Sequence, residues 1–195
     1  MAHENDHPDH DALECREPTL EDLVEVCRHL NEAGARYVVV GGFAIRAAGW
    51  PRQTMDIDLL VLTGVENEQL VKTALRFLPD KAIDEVVAGE VAEHIVVRVA
   101  DEIMIDLMKS GCGVDYAAAI GDARIHEVNG VPIPFASPKT LWRMKQTVRE
   151  KDIPDRIFLR QVLAAEGTPV EDETPAPGGW LDRLRRWLSG RSGGA

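Results

Sequence analysis

Residues 38–61 read VVVGGFAIRAAGWPRQTMDIDLLV, and the fold turns on how this stretch is parsed. Tyr37 to Val40 is a short apolar run of the kind that makes a buried strand, and it ends in Gly41-Gly42. Phe43 to Trp50 is a short helical stretch, stopped by Gly49 and Pro51. Met55 to Leu62 is a second strand that begins with alternation. Alternation puts the Asp56 and Asp58 carboxylates on one face, about 7 Å apart at Cα, while Ile57 and Leu59 turn to the core. Two carboxylates held so close repel unless a cation lies between them. Oxygen ligands of this type suit Mg²⁺. Bare backbone N–H groups at Gly41-Gly42, opening a helix, suit a phosphate.

The surrounding sequence extends this unit. In Glu102 to Met108, Asp106 is an acid inside an apolar strand, and a buried charge needs a partner; sharing cations with Asp56 and Asp58 supplies one. Taken singly, each feature has a plainer reading: an isolated Asp-x-Asp is common, Gly-Gly after a strand is usually a tight turn, and a strand aspartate usually sits at an exposed edge. Their order along one chain favours a common site.

A helix is predicted over Leu20 to Ala33, capped by Thr19 with Asp22 three residues on, its apolar face Leu20, Leu23, Val24, Cys27 and Leu30. Glu66 to Leu78 is predicted as an amphipathic helix with Leu70, Val71, Ala74, Leu75 and Leu78 inward. Ile95–Val99 and Ile103–Met108 form a hairpin around Ala100-Asp101, and Val114 to Ile120 is predicted helical. Arg124–Val128 and Val131–Phe135 flank Asn129-Gly130, a strong hairpin signal. Ser137-Pro138 opens a helix expected to run to Lys151, and Ile153 to Ala165 is the last core helix. The succession predicts an α+β fold: a small mixed β-sheet with helices packed on it, followed by C-terminal helices.

The chain has 195 residues, 45% apolar and 28% charged, with a net charge of −11. This is the balance of one globular core. The charge argues against coating nucleic acid by electrostatics alone, and no apolar run is long enough for a membrane span. With no signal-peptide pattern at the start, the expected compartment is the cytoplasm. Cys15, Cys27 and Cys112 are an odd number without a Cys-x-x-Cys, and are read as reduced thiols. Residues 1–17 are His/Asp/Glu-rich and read as a disordered tail. Residues 18–166 form the main domain, 167–179 a Pro/Gly/acid linker, and 180–195 a basic amphipathic tail. Trp180 and Trp187 beside four arginines in that tail suit a membrane surface or a partner groove, against the plainer reading of a helix lying loosely on its own domain.

Gly41-Gly42, thirteen intervening residues, then Asp56-Ile57-Asp58-Leu59, with Asp106 on a later strand, resembles the minimal nucleotidyltransferases with a DNA polymerase β-type palm. Gly41-Gly42-x-Ala44…Gly49-x-x-Arg52-x-Thr54-x-Asp56-x-Asp58, with Ser137-Pro138…Lys145-x-x-x-Arg149-x-Lys151-Asp152-x-x-Asp155, is most similar to the AbiEii toxin-like branch. The resemblance spans about residues 20–165. It implies Mg²⁺-dependent transfer of a nucleoside monophosphate from an NTP to an acceptor hydroxyl. Asp56, Asp58 and Asp106 would be the catalytic, metal-holding acids for two ions. Gly41, Gly42, Arg52, Lys145 and Arg149 would bind the triphosphate, the basic residues alternatively forming a solvated or ion-paired face. The acceptor implied is tRNA, a protein side chain or a small molecule, and a toxin would have a cognate antitoxin. Many members carry Gly-Ser, whose hydroxyl holds a terminal phosphate; Gly42 removes it. A catalytically degenerate nucleotide-binding or partner-binding module on the same fold is the competing reading.

Overall fold

Helix α1, Leu20–Glu32, starts at a reciprocal cap. The Asp22 N–H donates to Thr19 Oγ1 at 3.2 Å, and the Thr19 N–H donates to Asp22 Oδ2 at 2.7 Å. Such a cap contributes about 1 kcal/mol. Leu23, Val24, Val26, Cys27 and Leu30 are buried. Leu20, expected on the same face, is 39% exposed; it opens the helix, where no preceding turn shelters it. Just upstream, the Arg16 N–H donates to the Glu102 carbonyl at 2.9 Å, and its guanidinium forks onto Asp22.

The structure is a computed structural model describing residues 15–170. The linker beyond residue 170, the basic tail expected over 180–195 and residues 1–14 of the N-terminal segment lie outside the described residues. Among the described residues are seven α-helices, two 3₁₀ turns and eight strands. Strands β1 (Tyr37–Val39), β2 (Ile57–Val61), β3 (Val96–Ala100), β4 (Met104–Met108), β7 (Arg124–Val128) and β8 (Val131–Phe135) form one sheet in the order β3-β4-β2-β1-β8-β7. The pairs β2/β4 and β1/β8 are parallel and the rest antiparallel, so the sheet is mixed, as predicted. Strands β5 (Ser110–Gly111) and β6 (Val114–Asp115) make a separate ribbon. The Asn129-Gly130 turn has positive φ at both residues (51° and 76°), the geometry a two-residue hairpin requires. No helix among the described residues is long and apolar enough to cross a membrane.

Several boundaries differ from the expected ones for physical reasons. Helix α2 spans Gly41–Ala47, so the glycine pair forms its first turn instead of preceding it. Strand β2 begins at Ile57, which leaves Asp56 just ahead of it and Met55 64% exposed. Helix α3 spans Val65–Leu75, and Leu70 faces outward at 38% exposure. Its buried side is centred on Val71 and Leu75, and Leu70 lies one step of about 100° away from Val71. That side also carries two buried polar residues. Asn67 bonds both backbone groups of Arg36, and Glu68 accepts from the N–H groups of Gly64, Gly89 and Val91. After the short helix α4 (Glu90–Glu93), the predicted helix over 114–120 is split. Val114 and Asp115 pair as β6, and Asp115 then caps α5 (Tyr116–Ile120) by accepting from the Ala118 N–H at 2.9 Å.

The largest departure concerns helix α6, which spans Pro138–Met144 and stops seven residues short of Lys151. The β-branched Thr147-Val148 pair is a weak helix former, and the chain is captured by tertiary partners. Arg156, on α7 (Ile153–Ala165), donates through Nη1 to the Lys145 and Thr147 carbonyls at 3.2 and 2.9 Å, satisfying groups a continued helix would have used.

Candidate active site

The parallel pairing of β2 with β4 places Asp58 directly opposite Asp106. Asp56 joins them from the segment entering β2. One oxygen of each carboxylate lies within 4.8 Å of the others. Asp106 is buried and the other two are half-buried. Three hard oxygen donors at this spacing fit a divalent ion of the Mg²⁺ or Mn²⁺ type. Burial pushes the Asp58 carboxyl up to about 6, and repulsion from Asp56 and Asp106 adds to it, against the pull of Lys145 and the Gly42 N–H. A site that raises the proton affinity of a carboxylate in this way is one that gains from a cation.

The glycine pair is demanded by the acids and their support. A Cβ at Gly41, whose φ is +59°, would stand 1.7 Å from Asp58 Oδ2. A Cβ at Gly42 would stand 2.2 Å from Thr54 Oγ1. That hydroxyl donates toward the Asp56 backbone oxygen and Oδ1, at 3.2 and 3.1 Å. Thr54 therefore fills the space a serine at position 42 would need, and Gly42 is accounted for by packing.

The acids open onto a cleft of about 570 Å³ that is also lined by Gly41, Gly42, Arg52, Arg98, Met108, Cys112, Met144, Lys145, Arg149 and Lys151. The predicted bases thus reach the same cleft as the predicted acids, by a route the sequence did not indicate. Lys145 and Arg149 do not share a helix face, because α6 ends before Lys145. Lys145 Nζ instead pairs with Asp152 at 2.8 Å and Asp155 at 3.0 Å. Arg52 reaches Asp155 at 2.5 Å, and Arg149 reaches Asp152 at 3.4 Å. Both aspartates are almost fully buried. Burial pushes the Asp152 carboxyl up, but hydrogen bonds from Lys145 and Thr147 with the nearby Lys145 and Arg149 charges outweigh it, and the net shift is downward. Lys145→Met is expected to destabilise the protein by about 3 kcal/mol, because it leaves two buried carboxylates short of a cation; urea unfolding measures this.

Arg98 was not among the residues singled out from the sequence. On β3 it faces Asp106 across the antiparallel pair and forks onto it, Nε to Oδ1 and Nη2 to Oδ2, both at 2.8 Å. The available signal was the hairpin itself: a turn at Asp101–Ile103 sets residue 98 opposite 106.

No protein-family model matches the chain, and no curated protein matches it. Solved structures resemble it at low identity. A candidate nucleotidyltransferase from Thermotoga maritima is 18% identical, with 88% of this chain and 93% of that one covered and a TM-score of 0.42. An antigenic nucleotidyltransferase-like protein from Paracoccidioides brasiliensis is 17% identical, with 88% of each chain covered and a TM-score of 0.48. ANT(2")-Ia, solved in complex with adenylyl-2"-tobramycin, is 16% identical, with 87% and 95% covered and a TM-score of 0.48.

Proposed function

We propose that this chain is a Mg²⁺-dependent nucleotidyltransferase that moves a nucleoside monophosphate from an NTP to an acceptor hydroxyl, with residues 18–166 as the transferase domain. The observation that carries the reading is the convergence of Asp56, Asp58 and Asp106 beside Gly41-Gly42 in a cleft with a basic wall. Asp56 and Asp58 would hold one ion, and all three acids the second. When bound, such ions neutralise the triphosphate and favour ionisation of the attacking hydroxyl.

The chain's own groups supply the rest. Asp106 accepts the hydroxyl proton. The acceptor oxygen bonds to the α-phosphorus as its bond to the bridging oxygen of pyrophosphate breaks, and pyrophosphate leaves. Gly41 and Gly42, lacking side chains, let the backbone approach the phosphates. Arg52, Lys145 and Arg149 offset their charge. The sequence motifs over residues 41–58 and 137–155 support placement near the AbiEii toxin-like branch. In that setting the acceptor would be a tRNA, a protein side chain or a small molecule, and a toxin would have a cognate antitoxin as partner.

Incubation with α-labelled NTPs, Mg²⁺, tRNA and small-molecule pools is expected to give labelled acceptor and pyrophosphate. Chelation with EDTA and Asp58→Ala should each abolish both. Absence of labelling across all NTPs and acceptor pools would overturn the proposal. One observation favours a second reading, a nucleotide-binding module without turnover: Lys145, Arg52 and Arg149 are already paired with Asp152 and Asp155. Calorimetric binding of nucleotide that is independent of Mg²⁺ and releases no pyrophosphate would support it.

A further inference from the structure

We propose that Arg98 is a positioning residue that fixes the carboxylate of Asp106 in the orientation in which it meets Asp56 and Asp58. The inference rests on the reading of those three acids as a divalent-cation site. Two parallel charge-assisted hydrogen bonds, both 2.8 Å, hold the plane of the Asp106 carboxylate as well as its position. Each carboxylate oxygen keeps a further acceptor direction. The fork is therefore compatible with the cluster, where one Asp106 oxygen stays within 4.8 Å of its counterparts.

The fork is not explained by packing of the core. Arg98 sits on an edge strand, and its side chain is 59% exposed against 9% for that of Asp106. Asp106 has no other side-chain partner among the hydrogen bonds of the described residues. Asp56 is oriented by Thr54, and Asp58 by the Gly42 N–H. Arg98 completes the set, so that each acid has its own support from a different part of the fold. Loss of a group that orients a metal-holding side chain typically costs about 10–100-fold in metal affinity or activity. A lysine would keep the charge but present a point donor in place of the fork.

The test uses the full chain, freed of metal, with Mn²⁺ binding read by electron paramagnetic resonance and thermal unfolding followed alongside. Arg98→Lys and Arg98→Gln are each expected to weaken Mn²⁺ binding by about tenfold. The kcat of nucleotidyl transfer should fall with the NTP KM unchanged. Wild-type Mn²⁺ affinity in Arg98→Lys would overturn the proposal, because charge alone would then suffice. Tighter binding in Arg98→Gln would also overturn it, marking Arg98 as a competitor of the cation. Absence of Mn²⁺ binding by the wild-type chain itself is a separate result, which removes the cation site on which the inference stands.

Discussion

Asp58→Asn is expected to stabilise the metal-free protein and to cripple nucleotidyl transfer. The two effects share one cause. The Asp58 carboxyl, ordinarily near 3.8, is raised to about 6 in the folded chain by burial and by Asp56 and Asp106. Below about pH 4 it is protonated in folded and unfolded chains alike and exerts no penalty. As pH rises from about 4 to about 6, the unfolded chain releases this proton first, so stability falls; above about 6 the full penalty is present. The shift corresponds to roughly 3 kcal/mol, of which about 2 kcal/mol should be recovered by asparagine, which stays buried but carries no charge. Denaturant unfolding in EDTA measures the gap between wild type and variant. It should be about 2 kcal/mol near pH 7.5 and close toward pH 4. Transfer in Mg²⁺ should fall about a thousandfold, matching the several kcal/mol that the ions contribute to such displacements. A variant that is less stable than wild type near pH 7.5 would contradict the crowding of the three acids.

Gly41→Ala is expected to be nearly as damaging to transfer, although it alters no functional group. Alanine at φ +59° costs about 1–2 kcal/mol on backbone grounds alone. Its methyl group would also collide with Asp58 Oδ2 at 1.7 Å and Cγ at 2.4 Å. That carboxylate cannot yield cheaply, because the Gly42 N–H holds it, the β2/β4 pairing fixes its backbone, and the Asp56 and Asp106 carboxylates crowd it. Displacement of Asp58 by even about 1 Å would cost on the order of a hundredfold in rate. The comparison of transfer rate with urea stability separates the two parts of the effect. Wild-type turnover in Gly41→Ala would mean that Asp58 is not held where the chemistry requires it.

Much of the fold was readable because it follows from local rules. The capping box at Thr19, the Asn129-Gly130 hairpin and the helix over Ile153–Ala165 depend on residues close in sequence. What failed depended on partners far along the chain. Leu70 satisfies helical periodicity, but its exposure was set by which side of α3 met the sheet. Helix α6 was expected to continue to Lys151, but the weak helix formers Thr147-Val148 offer little local resistance, and Arg156 and Asp152 take over the carbonyl and side-chain contacts beyond Met144. The same capture explains why Lys145 and Arg149 reach the cleft without sharing a helix face.

The amino-acid sequence by itself determined the chemistry on offer: two aspartates at strand spacing, a third inside an apolar run, and a glycine pair before them. Strand alternation is a local property, so it could be read from residues 56–59 alone. The tertiary structure decided that β4, and not another strand, lies against β2 in parallel with Asp106 opposite Asp58, and that Arg98 grips Asp106 from the far side. Strand order and register across a long connection come from burial summed over the whole sheet, and no short stretch of sequence carries that sum.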